Sequence, residues 1–107
     1  MTRKFIQTPP FLSAWKLMRL DDNALSALED TLLLNPEAGD VIEGAGGARK
    51  IRIQLAGRGK SGGGRVIYFD IGEVIYLITA YPKNVREDLT PAQKKRIHEL
   101  TRKFRKE

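Results

Sequence analysis

Hydrophobic residues recur at helical spacing in the first third of the chain, alternate with polar ones through its middle, and return to helical spacing at its end. RKFIQ at residues 3–7 reads as a short strand, which Pro9-Pro10 stops while resetting the chain direction. Phe11, Ala14, Trp15 and Met18 then predict a first helix over residues 10–19. Trp15 and Phe11 read as core anchors rather than a base-stacking platform, because they share a face with Met18 and no basic cluster surrounds them. A second helix opens at Asp21 or Asp22, whose carboxylate can accept from the free amides of the first turn; with Asp21 as cap, Leu20 and Leu25 take the two positions of a hydrophobic staple. Leu25, Leu28, Leu32 and Leu33 form its buried stripe, and Asn35-Pro36 ends it. So short a link between the helices makes a hairpin, and its apolar side needs a sheet to pack on.

The middle of the chain supplies that sheet. Residues 48–55 alternate, with Ile51, Ile53 and Leu55 on one face and Lys50, Arg52 and Gln54 on the other. Residues 65–70 and 74–81 are rich in β-branched and aromatic side chains, and the link Ile71-Gly72-Glu73 joins them as an antiparallel hairpin. The run from Val74 to Ile78 is apolar on both faces, as in an interior strand. The glycine-bearing stretch 36–47 reads as a loop. Thr90-Pro91-Ala92-Gln93 is a capping box that starts a closing helix, with Ile97, Leu100, Thr101 and Phe104 buried and the lysines and arginines around them solvated. The expected fold is α+β in a single domain over residues 1–107: an N-terminal helical hairpin and a C-terminal helix packed on a mainly antiparallel sheet of about four strands.

Charge changes the picture through its placement. The formal net charge is +6, and residues 44–69 hold Arg49, Lys50, Arg52, Arg58, Lys60 and Arg65 without a single Asp or Glu. Such a surface suits an anionic partner, of which a polyphosphate backbone is the commonest in a cell. There is no cysteine, so disulfide frameworks, thiol nucleophiles and thiolate metal sites are excluded; His98 has no histidine companion and the acids are scattered, so neither metal nor cofactor is expected. No apolar stretch approaches the roughly 20 residues that span a bilayer, and Pro9-Pro10 interrupt what would follow the charged start of a signal peptide. A cytoplasmic protein without membrane association is expected.

Two nucleotide motifs fail on context. Gly57-Arg58-Gly59-Lys60-Ser61-Gly62 matches G-x-G-x-x-G, but Gly63-Gly64 lead into the strand RVIYF where a dinucleotide site needs a helix. Gly59-Lys60-Ser61 mimics the end of a P-loop, yet Gln54 stands where its first glycine belongs. The stretch reads instead as a hairpin turn whose basic tip can grasp a phosphate backbone. No Ser/His/Asp arrangement can be placed, Glu29-Asp30 and Glu87-Asp88 are adjacent pairs rather than a spaced dyad, and His98 lies beside an apolar stripe. Catalysis would therefore rest on cations and tyrosines. That suits RNA, which carries its own nucleophile and needs alignment, charge neutralisation and proton transfer.

Three stretches, LNPEAGDVIEGAGGARKIRI, GRGKSGGGRVIYF and YPKNVREDLTPAQKK, resemble the HigB-like branch of the RelE/ParE toxin superfamily. The resemblance implies a RelE-like small sandwich and a metal-independent endoribonuclease, an mRNA interferase that cuts messenger RNA in the ribosomal A site. It also implies partners: mRNA on the ribosome with rRNA contacts, and a cognate antitoxin carrying a helix-turn-helix DNA-binding domain. Carried over by position, Lys50 and Arg52 match the basic pair that supplies base or phosphate contacts, Arg65 the phosphate-binding arginine, and Tyr81 and Lys83 the orienting or proton-donating groups. Arg49, Arg58 and Lys60 would add RNA or ribosome contacts. The chain departs from the family pattern in having Lys-Ile-Arg instead of two lysines and no tyrosine in the closing helix, which leaves Lys83 and Arg65 as candidates for the general acid. The alternatives are a ParE-like inhibitor of DNA gyrase, which has no need of a cationic phosphate site on the sheet, and a non-catalytic RNA-binding domain.

Overall fold

The expected helical hairpin forms at the N-terminus, as seen in a computed structural model that describes residues 3–54, 63–84 and 88–106. Strand β1 (Lys4–Gln7) is followed by helix α1 (Pro9–Leu17), whose cap is Thr8. The Thr8 hydroxyl accepts from the amide of Phe11 at 3.3 Å and donates to the carbonyl of Ile78 at 2.7 Å, so the residue that starts the helix also fastens it to the sheet. Both prolines sit in the first turn, where their missing amides cost nothing. Helix α1 ends with Arg19 at φ 58°, and the amides of Arg19 and Leu20 return to the carbonyls of Lys16 and Trp15. This is a Schellman closure with an arginine where glycine is usual. Helix α2 (Asp22–Leu34) is capped by Asp21, whose carboxylate accepts from the amide of Ala24 at 2.9 Å.

Five strands form the sheet among the described residues, in the order β1-β5-β4-β3-β2. The strand missing from the sequence reading is β2 (Asp40–Val41), two residues inside the stretch expected to be loop, paired antiparallel with Lys50 and Arg49 of β3 (Arg49–Ile53). Two residues carry no detectable alternation, so only the tertiary pairing reveals this strand. Strand β4 (Gly64–Asp70) pairs antiparallel with β3 and with β5 (Val74–Pro82), and β1 joins the far side of β5 in parallel. The β4–β5 turn is held by Gly72 at φ 103° and by Asp70, whose carboxylate accepts from the Gly72 amide and pairs with Arg3 beside β1. The proposed hairpin tip at residues 57–62, and Leu55 with it, lie outside the described residues.

Each sheet face has its own core. Phe11 and Trp15, stacked at 5.1 Å, join Met18, Leu28 and Leu32 of the helical hairpin against Val66, Tyr68, Ile75 and Leu77. Leu33, expected in this stripe, is 47% exposed, because it stands one helical step round from Leu32 and α2 turns Leu25, Leu28 and Leu32 inward. On the other face, helix α3 (Pro91–Lys106) lays Ile97, Leu100 and Phe104 over Phe69, Tyr76 and Ile78. Its capping box closes reciprocally, with the Gln93 amide donating to the Thr90 hydroxyl at 3.1 Å and the Thr90 amide to the Gln93 side chain at 2.9 Å. The other end is fixed by the ring of Phe104, 3.8 Å from that of Tyr76, and by Arg105, which donates to the carbonyl of Gly46.

Candidate functional site

Strand alternation sorts the cations before any tertiary contact is made, and the register then aligns them. Arg52 of β3 is the direct partner of Arg65 on β4, and Arg65 is the direct partner of Tyr81 on β5. Side chains directly opposite in an antiparallel pair stand about 5 Å apart at Cβ and share a face. Arg52, Arg65 and Tyr81 therefore form one row across three strands, on the face that α3 covers elsewhere. Lys50 lies two residues along β3 on the same face, opposite Ile67. Lys83 follows Tyr81 by two residues and is tied to the row by its amide, which donates to the carbonyl of Gly63 at 2.9 Å.

The row is graded in burial. Arg52 is exposed and Lys50 and Lys83 are half-buried, whereas Arg65 is 7% exposed and Tyr81 is likewise buried. A guanidinium held this far from solvent acts through a lower effective dielectric and attracts an anion more strongly than a surface lysine does. One Arg65 nitrogen donates to the carbonyl of Gly64 at 3.2 Å. The arrangement offers a phosphate two guanidinium groups in one row, with the Tyr81 ring at its inner end and Lys50 and Lys83 to either side.

Arg49 does not join this group. As the partner of Tyr68 in the β3–β4 ladder it faces the helical hairpin, where its guanidinium donates to the carbonyl of Gly39 at 2.8 Å and lies 3.9 Å from the carboxylate of Glu37. The loop it holds is packed closely against β3 and β4: the Tyr68 hydroxyl accepts from the Gly39 amide at 2.9 Å and donates to the carbonyl of Pro36 at 2.8 Å, and a Cβ at Gly39 would meet the Lys50 carbonyl at 2.6 Å. Burial pushes the Tyr68 phenol above its ordinary pKa. Arg58 and Lys60 lie outside the described residues.

Two further residues stand beside the row, and sequence reading set both aside. Asp88 precedes the capping box of α3 and Lys94 lies in its first turn; the fold brings them to Lys50. One Asp88 oxygen lies 3.6 Å from the Lys50 ammonium and the other 3.9 Å from that of Lys94. The amide of Leu89 donates to the same carboxylate at 2.8 Å and, with the two ammonium groups, holds its carboxyl below the usual range. No spacing signal could have joined residues 50, 88 and 94, because their contact depends on where α3 starts over the sheet. Among the described residues no group of three or more His, Asp or Glu side chains is gathered as a metal site would require. The apolar groove of about 400 Å³ between α3 and the start of α1, walled by Pro9, Ile78, Ile97 and Phe104, contains no member of the cationic row. Also among the described residues, no helix is long and apolar enough to cross a membrane.

A family model described as RelE toxin of RelE / RelB toxin-antitoxin system matches residues 13–107. Among solved structures, the chain resembles a doubly substituted E. coli toxin RelE in the free state, at 21% identity over 81% of this chain and 90% of that one, with a TM-score of 0.54; the likeness is one of fold. The E. coli DinJ-YafQ toxin-antitoxin complex matches at 17% identity over 79% of this chain and 97% of that one, with a TM-score of 0.42.

Proposed function

The chain belongs to the RelE family of toxins of toxin-antitoxin systems, and from that membership we propose that it is a ribosome-dependent, metal-independent endoribonuclease that cuts mRNA in the ribosomal A site and so inhibits translation. The observation that carries this reading is the row of Arg52, Arg65 and Tyr81 across three strands, with Lys50 beside it on the same face. A row of fixed cations of this kind stabilises charge that develops on a phosphate without reorganising at the moment of reaction.

In this reading the 2′-hydroxyl of the substrate attacks the adjacent phosphorus in line, its proton passing to solvent, and the bond to the 5′-oxygen breaks. Lys50, Arg52 and Arg65 neutralise the crowded phosphate. Tyr81 orients the nucleotide at the inner end of the row. Lys83 protonates the leaving 5′-oxygen; arginine keeps its proton under all ordinary conditions, which favours Lys83 over Arg65 as the acid. The products are a 2′,3′-cyclic phosphate and a 5′-hydroxyl. The ribosome would supply the alignment that so small a site leaves undone.

Purified ribosomes carrying bound message provide the test. The wild-type chain should cut within the A-site codon, and Arg65→Gln should cut about 10²–10³-fold more slowly while still unfolding in a single cooperative urea transition. An intact message would sink the assignment, and inhibition of gyrase supercoiling by the same preparation would replace it with the ParE-like alternative. We assign the chain more finely to the HigB-like branch, on the three stretches that resemble it, and propose a cognate antitoxin with a helix-turn-helix domain as its partner. The neighbouring reading frame checks this: a small helix-turn-helix protein beside the toxin is expected.

A further inference from the structure

Asp88 is a carboxylate placed among the cations that the proposed reaction needs. Its two oxygens face two ammonium groups, Lys50 at 3.6 Å and Lys94 at 3.9 Å, and its orientation is set by the Leu89 amide. Two oxygens of one anion reaching two lysines is also how a backbone phosphate would sit between them. Asp88 is 51% exposed and both distances are near the outer limit of an ion pair, so the contacts are weak and open to exchange. A carboxyl held ionised well below neutral pH is a poor proton acceptor, which argues against a role as general base.

We propose that Lys50 and Lys94 form a two-ammonium clamp for one phosphate of the RNA backbone, and that Asp88 occupies this clamp in the free protein as a built-in anion that the RNA displaces. This rests on the RNA-binding reading of the face, and it extends the binding site from the sheet to the first turn of α3. The arrangement keeps two like charges together without substrate. It also makes loose, non-specific binding less favourable, because an incoming phosphate releases a carboxylate instead of dissolved counterions.

Binding of the full chain to a short single-stranded 2′-O-methyl oligonucleotide, which lacks the attacking hydroxyl, tests the clamp separately from cleavage. Asp88→Asn should bind about twofold to fivefold tighter. The slope of log K against log salt should steepen by about 0.7 for each ammonium returned to the counterion pool. Glu99→Gln, which removes a carboxylate elsewhere on α3, should do less on both counts, and the gain from Asp88→Asn should shrink when Lys94→Ala is already present. The proposal is overturned if Asp88→Asn changes affinity and slope no more than Glu99→Gln does, or if its gain is undiminished by Lys94→Ala, whether or not the chain cuts ribosome-bound message. A loss of ribosomal cutting by Asp88→Asn without tighter oligonucleotide binding would likewise overturn it, assigning Asp88 to the chemistry instead.

Discussion

The guanidinium of Arg49 donates to a carbonyl of its own chain, and the next side chain along β3 points to the opposite face. Arg49→Ala should therefore act on stability: loss of the bond to Gly39 lowers it by about 1 kcal/mol, read from the urea midpoint, while the salt slope of RNA binding stays as in the wild type. Arg65→Gln combines the two effects: a large loss of cutting is expected beside a stability loss of about 1 kcal/mol, because the buried guanidinium also donates to the carbonyl of Gly64. Arg65 is buried, so Arg65→Lys is its companion: it keeps a positive charge but not the planar fork, and an intermediate rate would show that the fork geometry contributes to phosphate recognition. Lys50 and Lys94 differ again, since each shares the Asp88 carboxylate and so is both partnered and available for exchange.

Among the elements, α1 holds the clearest local conflict between residue and conformation. Arg19 occupies the left-handed position that closes the helix, at φ 58°, and an L side chain there costs about 1 kcal/mol relative to glycine. Arg19→Gly should raise stability by about 0.5 kcal/mol at most, most of the strain relief being offset by the extra freedom glycine gives the unfolded chain. A urea titration checks the sign; a fall in stability would mean that the arginine side chain makes a compensating contact. Helix α3 is better matched at its two ends, although its first turn carries Lys94 and no acid. Thr90 and Gln93 close a capping box, Pro91 opens the first turn, and Arg105 and Lys106 lie where the helix dipole favours cations. That agreement gives α3 a definite start, and the start is what carries Asp88 and Lys94 to Lys50.

For the whole molecule, one sheet serves two cores, and Tyr68 links the one under the helical hairpin to the 36–39 loop. Its buried phenol is raised above the ordinary value of 10.0. Between that value and the folded-state value the unfolded chain has released the proton and the folded chain has not. Stability is thus fully present below pH 10 and falls as pH rises above it. Tyr68→Phe should flatten this alkaline limb. It should also lower stability near neutrality by about 1–3 kcal/mol, because the Gly39 amide and Pro36 carbonyl lose a buried partner. Urea midpoints measured from pH 7 to 11 for both proteins separate the two effects.

Much of the fold could be read from short-range signals: the Asp21 and Thr90 caps, the alternation of Ile51 and Ile53 against Lys50 and Arg52, and the apolar run of an interior strand at residues 74–78. These depend on neighbours a few residues apart, so the sequence by itself determined the helices, the long strands, and the face on which Lys50 and Arg52 stand. Arg49, expected from the resemblance to add RNA or ribosome contacts, stands instead on the other face with Ile51 and Ile53, paired with Tyr68. Tertiary structure alone decided that a two-residue strand would border β3, that Leu33 would turn towards solvent, that Arg52, Arg65 and Tyr81 would fall in one row, and that Asp88 would lie between Lys50 and Lys94. Each of those depends on strand register or on where a helix crosses the sheet. Register and crossing are set by packing between segments far apart in the chain, which no local pattern records.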